Sequence, residues 1–358
     1  MNSQPTVFVM LSGGVDSSVA AATLLEKGYN VVGVFIKCWS IDQLESMSLS
    51  QDIYGCFWEE DSKDAALVAS KLGIPFFVWD FQKEYKQGVV DYMINEYKIG
   101  LTPNPDVMCN SIIKFGMFYQ RAIDLGADLV STGHYARVYQ HPLTILRAKD
   151  SNKDQSYFLN RVPKEFLNQT IFPIGEYQSK KDVRQKAQEY NLITANKKDS
   201  QGLCFIGHTP MKKLLIQVLG VHEGNIVDIQ NNQILGKHSG AFQYTIGQRH
   251  QLGLSGGPWF VTSIDIDNNI VYIAHQNNIS SNLYSNSLVA HNPNWFVETN
   301  NKSTIQCQAQ VRYRQEPVNC VVCFENKQLK VNFDEPIRAV AKGQSIVFTI
   351  KSKCLVVL

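Results

Sequence analysis

The feature that most constrains the fold is the glycine-rich loop Ser12–Ser18, with the sequence Ser-Gly-Gly-Val-Asp-Ser-Ser. The apolar run Val7–Leu11 before it predicts a buried strand. The Ala- and Leu-rich run Val19–Lys27 after it predicts a helix that ends at Gly28. Val31–Ile36 predicts the next strand. The order of strand, glycine loop, helix and strand indicates the start of a parallel α/β sheet.

The composition of this loop indicates a phosphate site. Gly13 and Gly14 let the backbone approach a ligand closely and adopt positive φ without strain. The N–H groups and the dipole of the following helix favour an anion, by roughly 0.3–1 kcal/mol. The serine hydroxyls of the loop can add hydrogen bonds. The alternative is a tight strand-to-helix turn with a serine as its cap.

Two common phosphate loops do not match. The loop has no Lys before its Ser, as a Walker loop requires, and no Gly-x-Gly-x-x-Gly pattern of dinucleotide-binding proteins. The presence of the acidic residue Asp16 in a phosphate loop is explained if Mg²⁺ lies between its carboxylate and a phosphate. The pattern Ser-Gly-Gly-x-Asp-Ser after a strand resembles the PP-loop of the ATP pyrophosphatases, which cleave ATP between the α and β phosphates.

The length of 358 residues predicts two or three domains. Alternating helices and strands fill the first part of the chain, whereas short strands separated by turns dominate after about Thr209. We therefore expect an α/β catalytic domain over 1–208, a small β-rich domain over 209–284 and a C-terminal β-barrel over 285–358. Arg312 and Arg314, at the end of a strand predicted over 304–313, are expected to lie on one strand face.

Charge and hydropathy limit the partners only weakly. The net charge of +2 neither requires nor excludes nucleic acid. The sequence contains no apolar run of the length that spans a membrane, and no signal peptide is recognised at its N-terminus. We expect a cytoplasmic protein with no membrane partner. Paired lysines such as Lys180-Lys181 and Lys197-Lys198 are typical of a solvated face.

The predicted elements place several candidate functional residues at one edge of the sheet. Helices are predicted from Asp61 or Ser62 to Leu72, over 83–99 and over 108–125, with a strand over 129–132 before Gly133-His134. Ligands bind beyond the carboxyl ends of the strands in open parallel sheets. We therefore expect the Ser12–Ser18 loop, Lys37 and Gly133-His134 to lie together.

Among the eight cysteines, Cys109 and Cys204 are candidates for transient sulfur chemistry. Cys109 follows Asp106 by three residues at the start of a predicted helix, where the thiol pKa is lowered. Cys204 lies in a glycine-flanked loop. The alternative for each is a small buried apolar residue. Cys320 and Cys323 are three apart on a predicted strand and face opposite sides, so they are interpreted as structural rather than as a zinc site.

Several motifs occur together in one order along the chain. They are the Ser12–Ser18 loop, Asn104-Pro105-Asp106-x-x-Cys109-Asn110, Thr132-Gly133-His134-Tyr135, Lys153–Leu159, Gly202–Gly207, Tyr244–Arg249 and Val311-Arg312-Tyr313-Arg314. In this order they resemble the tRNA 2-thiouridylase family, and the resemblance covers nearly the whole chain. It implies a PP-loop domain followed by two β-domains.

The resemblance implies an ATP-dependent thiolation of the wobble uridine of tRNA. ATP adenylates the C2 oxygen of the uridine, and pyrophosphate and AMP are released. Cys204 carries a persulfide, and Cys109 either forms a disulfide with Cys204 to free the sulfur or takes part in the attack at C2. Asp106 contacts the base and acts as a general base at N3. A relay protein or a cysteine desulfurase supplies the sulfur, and lysine, glutamate and glutamine tRNAs are the expected substrates.

The resemblance also implies two sets of contacts. ATP is contacted by Met10, Leu11, Ser12, Gly13, Gly14, Val15, Asp16, Ser17, Ile36 and Gly133, with Mg²⁺ near Asp16. The tRNA is contacted by Asn104, Pro105, Asp106, His134, Lys153, Asp154, Gln155, Arg312, Tyr313 and Gln344. Basic residues give salt-dependent affinity for phosphates, and Tyr stacks on an unpaired base.

Two other functions remain open at this point. Another PP-loop adenylating enzyme, such as an amidotransferase-coupled synthetase or a lysidine synthetase, would use an amine or ammonia and would not need the cysteine pair. A tRNA-binding module that uses ATP as a switch would never form AMP and pyrophosphate.

Overall fold

A computed structural model of the chain describes residues 4–39, 58–199, 211–278, 283–296, 304–325, 328–350 and 353–357. The candidate persulfide residue Cys204 lies outside the described residues. Within them, no helix is both long and apolar enough to cross a membrane.

A parallel sheet forms the centre of the N-terminal part. Its spatial order is β3 (Phe76–Asp80), β2 (Asn30–Lys37), β1 (Thr6–Met10), β4 (Leu129–Ser131) and β7 (Thr170–Ile171). Every neighbouring pair in this order is parallel. The predicted parallel α/β sheet is therefore confirmed. The end of β1 before the glycine loop, Lys37 at the end of β2, and the end of β4 before Gly133 lie at one edge of this sheet.

Helices cover both faces of this sheet, because alternate residues of β1 face opposite sides. Val7 and Val9 pack with α1 (Val15–Glu26) and α2 (Trp58–Leu72). Phe8 and Met10 pack with two longer helical stretches on the other face. The helix predicted to begin at Asp61 or Ser62 thus begins earlier, at Trp58.

The two longer stretches contain π-helical turns. The first, α3, comprises Gln82–Tyr85, π-helical Lys86–Asp91 and Tyr92–Lys98. The second, α4, comprises Pro105–Met108, π-helical Cys109–Phe118 and Tyr119–Asp124. A Cβ at Gly88 would lie 2.9 Å from Cδ1 of Ile112, so glycine permits the close approach of α3 and α4.

A hairpin of β5 (Ala136–Gln140) and β6 (Leu143–Arg147) follows the end of β4. Short 3-10 helices follow at Ser156–Leu159, Lys164–Gln169 and Pro173–Glu176. The helix α5 (Lys180–Glu189) begins with a capping box between Ser179 and Asp182. The helix α6 (Met211–Leu219) leads into the central domain.

The central domain is a small sheet. Its spatial order is β10 (Trp259–Asp265), β11 (Ile270–His275), β8 (Gly224–Asp228) and β9 (Ile234–His238). Short 3-10 turns cover Ala241–Gln243 and Gln276–Asn278. Its core includes Ile226, Val261, Val271 and Ile273, all fully buried.

The C-terminal strands form an antiparallel sheet that crosses the predicted domain boundary. Its spatial order is β12 (Tyr284–Ala290), β16 (Gln328–Arg338), β15 (Val318–Glu325), β14 (Thr304–Gln310), β17 (Val347–Ile350), β18 (Lys353–Val357), β6 and β5, and β13 (Asn294–Trp295) pairs with β18. Lys353 pairs with Leu146 of β6. The hairpin of the N-terminal domain thus extends the C-terminal sheet.

The strand predicted over 304–313 is shorter than expected. It ends at Gln310, and a turn follows in which Arg314 has a φ of +64°. A left-handed backbone cannot continue a strand. Arg312 and Arg314 therefore do not share a strand face, and the prediction that they do is wrong.

Candidate nucleotide and sulfur-transfer site

The Ser12–Ser18 loop has the backbone geometry of an anion site. Gly13 has a φ of +72°, and a Cβ there would collide with the backbone carbonyl of Asp61. Gly14 is the N-cap of α1 and supplies no side-chain cap. The first-turn N–H groups of a helix have no intrahelical partner, so they are available to a ligand. The residues present therefore fit a phosphate group.

The serines of the loop mainly fix its shape. The hydroxyl of Ser17 accepts from the backbone N–H of Ser12 at 3.1 Å and donates to the carbonyl of Gly14 at 3.1 Å. The hydroxyl of Ser18 donates to the same carbonyl at 2.7 Å. Both hydroxyls thus form bonds within the loop, and their role as phosphate donors stays a prediction.

Gly133 packs directly against the start of α1. A Cβ at Gly133 would lie 2.7 Å from the backbone nitrogen of Ser17. The structure thus brings Gly133 and the loop together, as the strand-end argument predicts. Met10, Leu11 and Val15 have buried side chains in the core, and Ile36 is partly buried beside it. Met10, Leu11 and Val15 can therefore offer a nucleotide little besides their backbones.

The carboxylate of Asp16 is held by two side chains. Tyr135 donates its hydroxyl to Oδ1 at 2.8 Å, and the ammonium of Lys180 lies 2.7 Å from both carboxylate oxygens. Mg²⁺ is commonly held by one or two carboxylates together with substrate phosphates, so the chemistry of Asp16 fits. The described residues contain no group of three or more His, Cys, Asp or Glu side chains that would hold a metal alone.

Asp106 lies in the first turn of α4. Asn104 caps this helix by accepting from the N–H of Val107 at 3.3 Å, and Pro105 is its first residue. The side chain of Asp106 is exposed, yet the protein around it displaces water and raises its pKa, against the opposing charge of Lys114. An exposed carboxyl with a raised pKa is suited to accept a proton.

Cys109 is not at the start of its helix, and that prediction is wrong. The helix begins at Pro105, so Cys109 lies one turn inside, where it is 5% exposed within the core. The favourable charge of a helix N-terminus is confined to the first turn. It therefore acts at Asp106 rather than at the Cys109 thiol.

His134 is buried at the edge of the sheet. Its Nδ1 lies 2.6 Å from the hydroxyl of Thr132, and its ring packs against Phe115 and Phe172 at centroid distances of 5.9 and 6.1 Å. Burial, and secondarily the charge of Lys114, hold the pKa of His134 well below its usual range. The imidazole is therefore neutral at pH 7.

The segment Lys153-Asp154-Gln155 is anchored to the same edge. Gln155 accepts from the N–H of Tyr135 at 3.0 Å, and Asp154 accepts from the N–H of Ala148 at 3.0 Å. Lys153 is paired with Asp199 at 2.9 Å. The side chains of Asp154 and Gln155 thus hold the loop in place, and Lys153 presents a partly exposed charge.

The remaining predicted tRNA contacts lie between domains. The guanidinium of Arg312 donates to the carbonyl of Ile246 at 2.6 Å, and Tyr313 packs on Phe158 at a centroid distance of 4.3 Å. Gln344 donates to the carbonyl of Thr102 at 2.8 Å. These side chains connect the C-terminal barrel to the other two domains.

Several residues of the site were not anticipated from the sequence. Tyr135 lies within a motif that was recognised, and Asp199 lies five residues before Cys204, so position alone was the available signal. Nothing in the sequence distinguishes Lys180 from its neighbour Lys181. The structure does so, because Lys180 is largely buried in ion pairs and Lys181 is exposed.

The fold and the loop define a nucleotide-binding α/β enzyme domain joined to two β-domains. Family models agree with this division: a tRNA methyl transferase HUP domain matches residues 5–208, a tRNA methyl transferase PRC-barrel domain matches 212–275, and an aminomethyltransferase beta-barrel domain matches 285–355. The expected β-rich central domain and C-terminal barrel are thereby confirmed as fold classes.

Related proteins align with this chain over nearly its whole length. The tRNA-specific 2-thiouridylase MnmA of Staphylococcus saprophyticus is 43% identical over 360 aligned positions, which cover 99% of this chain and 94% of the relative. The protein of the same name from Geobacillus thermodenitrificans is 44% identical over 363 positions, covering 99% and 95%. The chain belongs to the tRNA-specific 2-thiouridylase family. Among solved structures, NMN synthetase from Francisella tularensis aligns with a TM-score of 0.36 and 15% identity, covering 56% of this chain and 67% of that chain.

Proposed function

We propose that this protein thiolates C2 of the wobble uridine of tRNA in an ATP-dependent reaction that releases AMP and pyrophosphate. The observation that carries the proposal is the contact between the phosphate loop and the end of β4, where Gly133 meets Ser17. The next residue, His134, packs its ring against Phe115 of α4 at a centroid distance of 5.9 Å, and Asp106 lies in the first turn of the same helix. The loop and the helix that carries the proposed general base are therefore joined through the end of β4. Lysine, glutamate and glutamine tRNAs are the proposed substrates.

Each residue of the site has a proposed task. The backbone N–H groups after Gly14 bind the phosphates, and ATP supplies the AMP group that makes the C2 oxygen of uridine a leaving group. Asp106 accepts the N3 proton, for which its raised pKa is favourable. His134 is neutral and buried, so it contributes no charge to the proposed RNA contact, and a hydrogen bond from it to the RNA requires that the imidazole become accessible. Lys153 offers a charge to a phosphate.

Sulfur delivery is proposed to involve both cysteines. Cys204 carries a persulfide that a relay protein or a cysteine desulfurase loads. The terminal sulfur replaces AMP at C2, and Cys109 either resolves the persulfide by forming a Cys109–Cys204 disulfide or takes part in the attack. Cys109 is buried in the core, so its participation requires that α4 shift to expose the thiol.

The proposal is tested by transfer of radiolabelled sulfur from a cysteine desulfurase to unmodified glutamate tRNA in the presence of ATP. The wild type is compared with Cys109→Ser and Cys204→Ser, and Cys323→Ser in the barrel is the matched control. We expect labelled uridine with the wild type and the control only. If one cysteine variant keeps labelled sulfur on the protein, the cysteine that remains in that variant carries the persulfide.

Other outcomes contradict the proposal in distinct ways. Consumption of ATP without sulfur transfer would indicate another PP-loop adenylating enzyme. Binding of tRNA and ATP without release of pyrophosphate would indicate a binding module. Activity that survives in both cysteine variants would exclude the proposed sulfur chemistry.

A further inference from the structure

An alternating row of charges runs from the phosphate loop to Lys153. Asp16 pairs with Lys180 at 2.7 Å, Lys180 pairs with Asp199 at 3.0 Å, and Asp199 pairs with Lys153 at 2.9 Å. We call Asp16, Lys180, Asp199 and Lys153 the charge row. Its two ends are the carboxylate proposed to face Mg²⁺ and the ammonium proposed to face tRNA.

Lys180 is fixed at the centre of this row. It is the first residue of α5, its backbone N–H donates to Asp150 at 2.9 Å, and the capping box of Ser179 holds the helix start. Its side chain is 14% exposed, so the ammonium has little water around it. It therefore depends on the two carboxylates that flank it.

Asp199 holds several cations at once. Lys153 bonds one oxygen, and Lys180 and Arg184 bond the other. Arg184 lies one turn after Lys180 and also donates to the carbonyls of Ala195 and Lys197 at 2.8 and 3.0 Å. Burial opposes the ionisation of Asp199, but the bonds from Lys153 and Lys180 outweigh it and lower its pKa to about 2. Asp199 is thus ionised at every working pH.

One ammonium shared between two carboxylates moves toward the one that loses its other partner. A phosphate that takes Lys153 leaves Asp199 with one fewer cation, which strengthens its attraction for Lys180. The Asp16 carboxylate then loses part of its neutralising charge and becomes a better ligand for a divalent cation.

We propose that Lys180 is a positioning residue that couples the two substrate sites: it neutralises Asp16 while Lys153 is paired with Asp199, and releases Asp16 when an RNA phosphate engages Lys153. This inference rests on the proposed binding of tRNA by Lys153 and of Mg²⁺ by Asp16. By reciprocity, Mg²⁺ at Asp16 favours the state that binds tRNA.

The test measures binding rather than turnover. The probe is α,β-methylene ATP, which resists cleavage between the α and β phosphates, titrated by calorimetry at stepped Mg²⁺ concentrations with and without unmodified glutamate tRNA. In the wild type we expect tRNA to lower the Mg²⁺ concentration for half-maximal binding about fivefold or more.

Two variants should abolish this effect from opposite sides. Lys180→Met should need little Mg²⁺ whether or not tRNA is present, because the ammonium that competes with Mg²⁺ for Asp16 is gone and the remaining partner, Tyr135, is a neutral hydroxyl. Asp199→Asn should need high Mg²⁺ in both conditions, because Lys180 then stays on Asp16. Lys181→Met, an exposed neighbour in the same helix turn, should behave as the wild type and controls for Mg²⁺ taken up by the RNA itself.

Three results would overturn the inference. The first is that tRNA leaves the Mg²⁺ requirement unchanged in a wild type that binds both tRNA and the analogue. The second is that tRNA still lowers the Mg²⁺ requirement in Lys180→Met. The third is that Lys180→Met binds the analogue more weakly than the wild type at every Mg²⁺ concentration. The last would make Lys180 a direct phosphate ligand. If Lys180→Met does not fold, as judged by thermal melting, Asp199→Asn decides. A wild type that binds neither tRNA nor the analogue would instead contradict the proposed function.

Discussion

The side-chain amide of Gln344 donates a 2.8 Å hydrogen bond to the backbone carbonyl of Thr102. The same amide donates to the carbonyl of Pro103 at 3.1 Å, and the N–H of Thr102 donates to the carbonyl of Lys342 at 2.8 Å. Thr102 lies two residues before Asn104, the cap of the helix that carries Asp106 and Cys109. The barrel therefore fixes the entry to this helix, in addition to any contact that Gln344 makes with RNA.

Replacement of Gln344 should slow thiolation more than it weakens tRNA binding. We expect Gln344→Ala to lower the single-turnover rate at saturating tRNA about tenfold or more, because small displacements of reacting groups are costly. Gln344→Glu should be worse, since a carboxylate cannot donate and would face two carbonyl oxygens. Gln328→Ala, an exposed barrel residue, is the control. A loss confined to tRNA affinity would show that Gln344 acts only by contacting RNA.

Asp106→Asn should abolish thiolation without destabilising the protein. Partial desolvation raises the pKa of Asp106 in the folded state, so ionisation costs folding free energy, and stability falls as pH rises from the ordinary value through the raised one. The amide of Asn does not ionise, so Asp106→Asn removes this cost to folding. It also removes the general base, and the loss of a general base typically lowers the rate about 10²- to 10⁴-fold. Melting temperatures at pH 5 and 8, beside single-turnover rates, check both effects. A lower melting temperature of Asp106→Asn at pH 8 would contradict this account.

Lys114→Met should move the acid limb of the thiolation rate to higher pH. The charge of Lys114 lowers the pKa of Asp106, and its removal leaves the partial desolvation by the surrounding protein unopposed. The rate depends on ionised Asp106, so it should then rise with pH over a higher range. Rates measured from pH 5 to 9 at saturating substrates test this, with exposed Lys98→Met as the control. An unshifted limb would exclude Asp106 as the titrating base.

Substitution of Arg312 and of Arg314 should distinguish an effect on protein stability from an effect on RNA binding. Arg312→Ala removes the 2.6 Å bond to the carbonyl of Ile246, which should lower the free energy of unfolding by about 1.5–3 kcal/mol. Arg314 is exposed, so Arg314→Ala should leave stability within about 0.5 kcal/mol. If Lys153, Arg312 or Arg314 contacts a phosphate, its replacement by Ala should lower the slope of log tRNA affinity against log salt concentration by about 1. Denaturant unfolding and salt titrations distinguish these effects, and a stable Arg312→Ala would contradict the tethering role.

The sequence was sufficient for the class of fold and for the phosphate loop, because both depend on local patterns. The β1 strand, the glycines at 13 and 14 and α1 are adjacent in the chain, and their geometry follows from backbone freedom and apolar periodicity. The sequence placed Cys109 wrongly relative to its helix start. Asn104 and Pro105 are a cap and a first helical residue, and they begin the helix one turn earlier than the apolar pattern indicated.

The sequence alone determined that this chain forms a PP-loop domain followed by β-domains, and which residue types lie at the loop. Only the tertiary structure decided that Lys180 rather than Lys181 neutralises Asp16, that Gln344 supports Thr102, and that the β5–β6 hairpin extends the C-terminal sheet. Asp16 and Lys180 are 164 residues apart in the chain. Contacts between residues so distant depend on how the helices and sheets pack, and a local pattern carries no information about that packing.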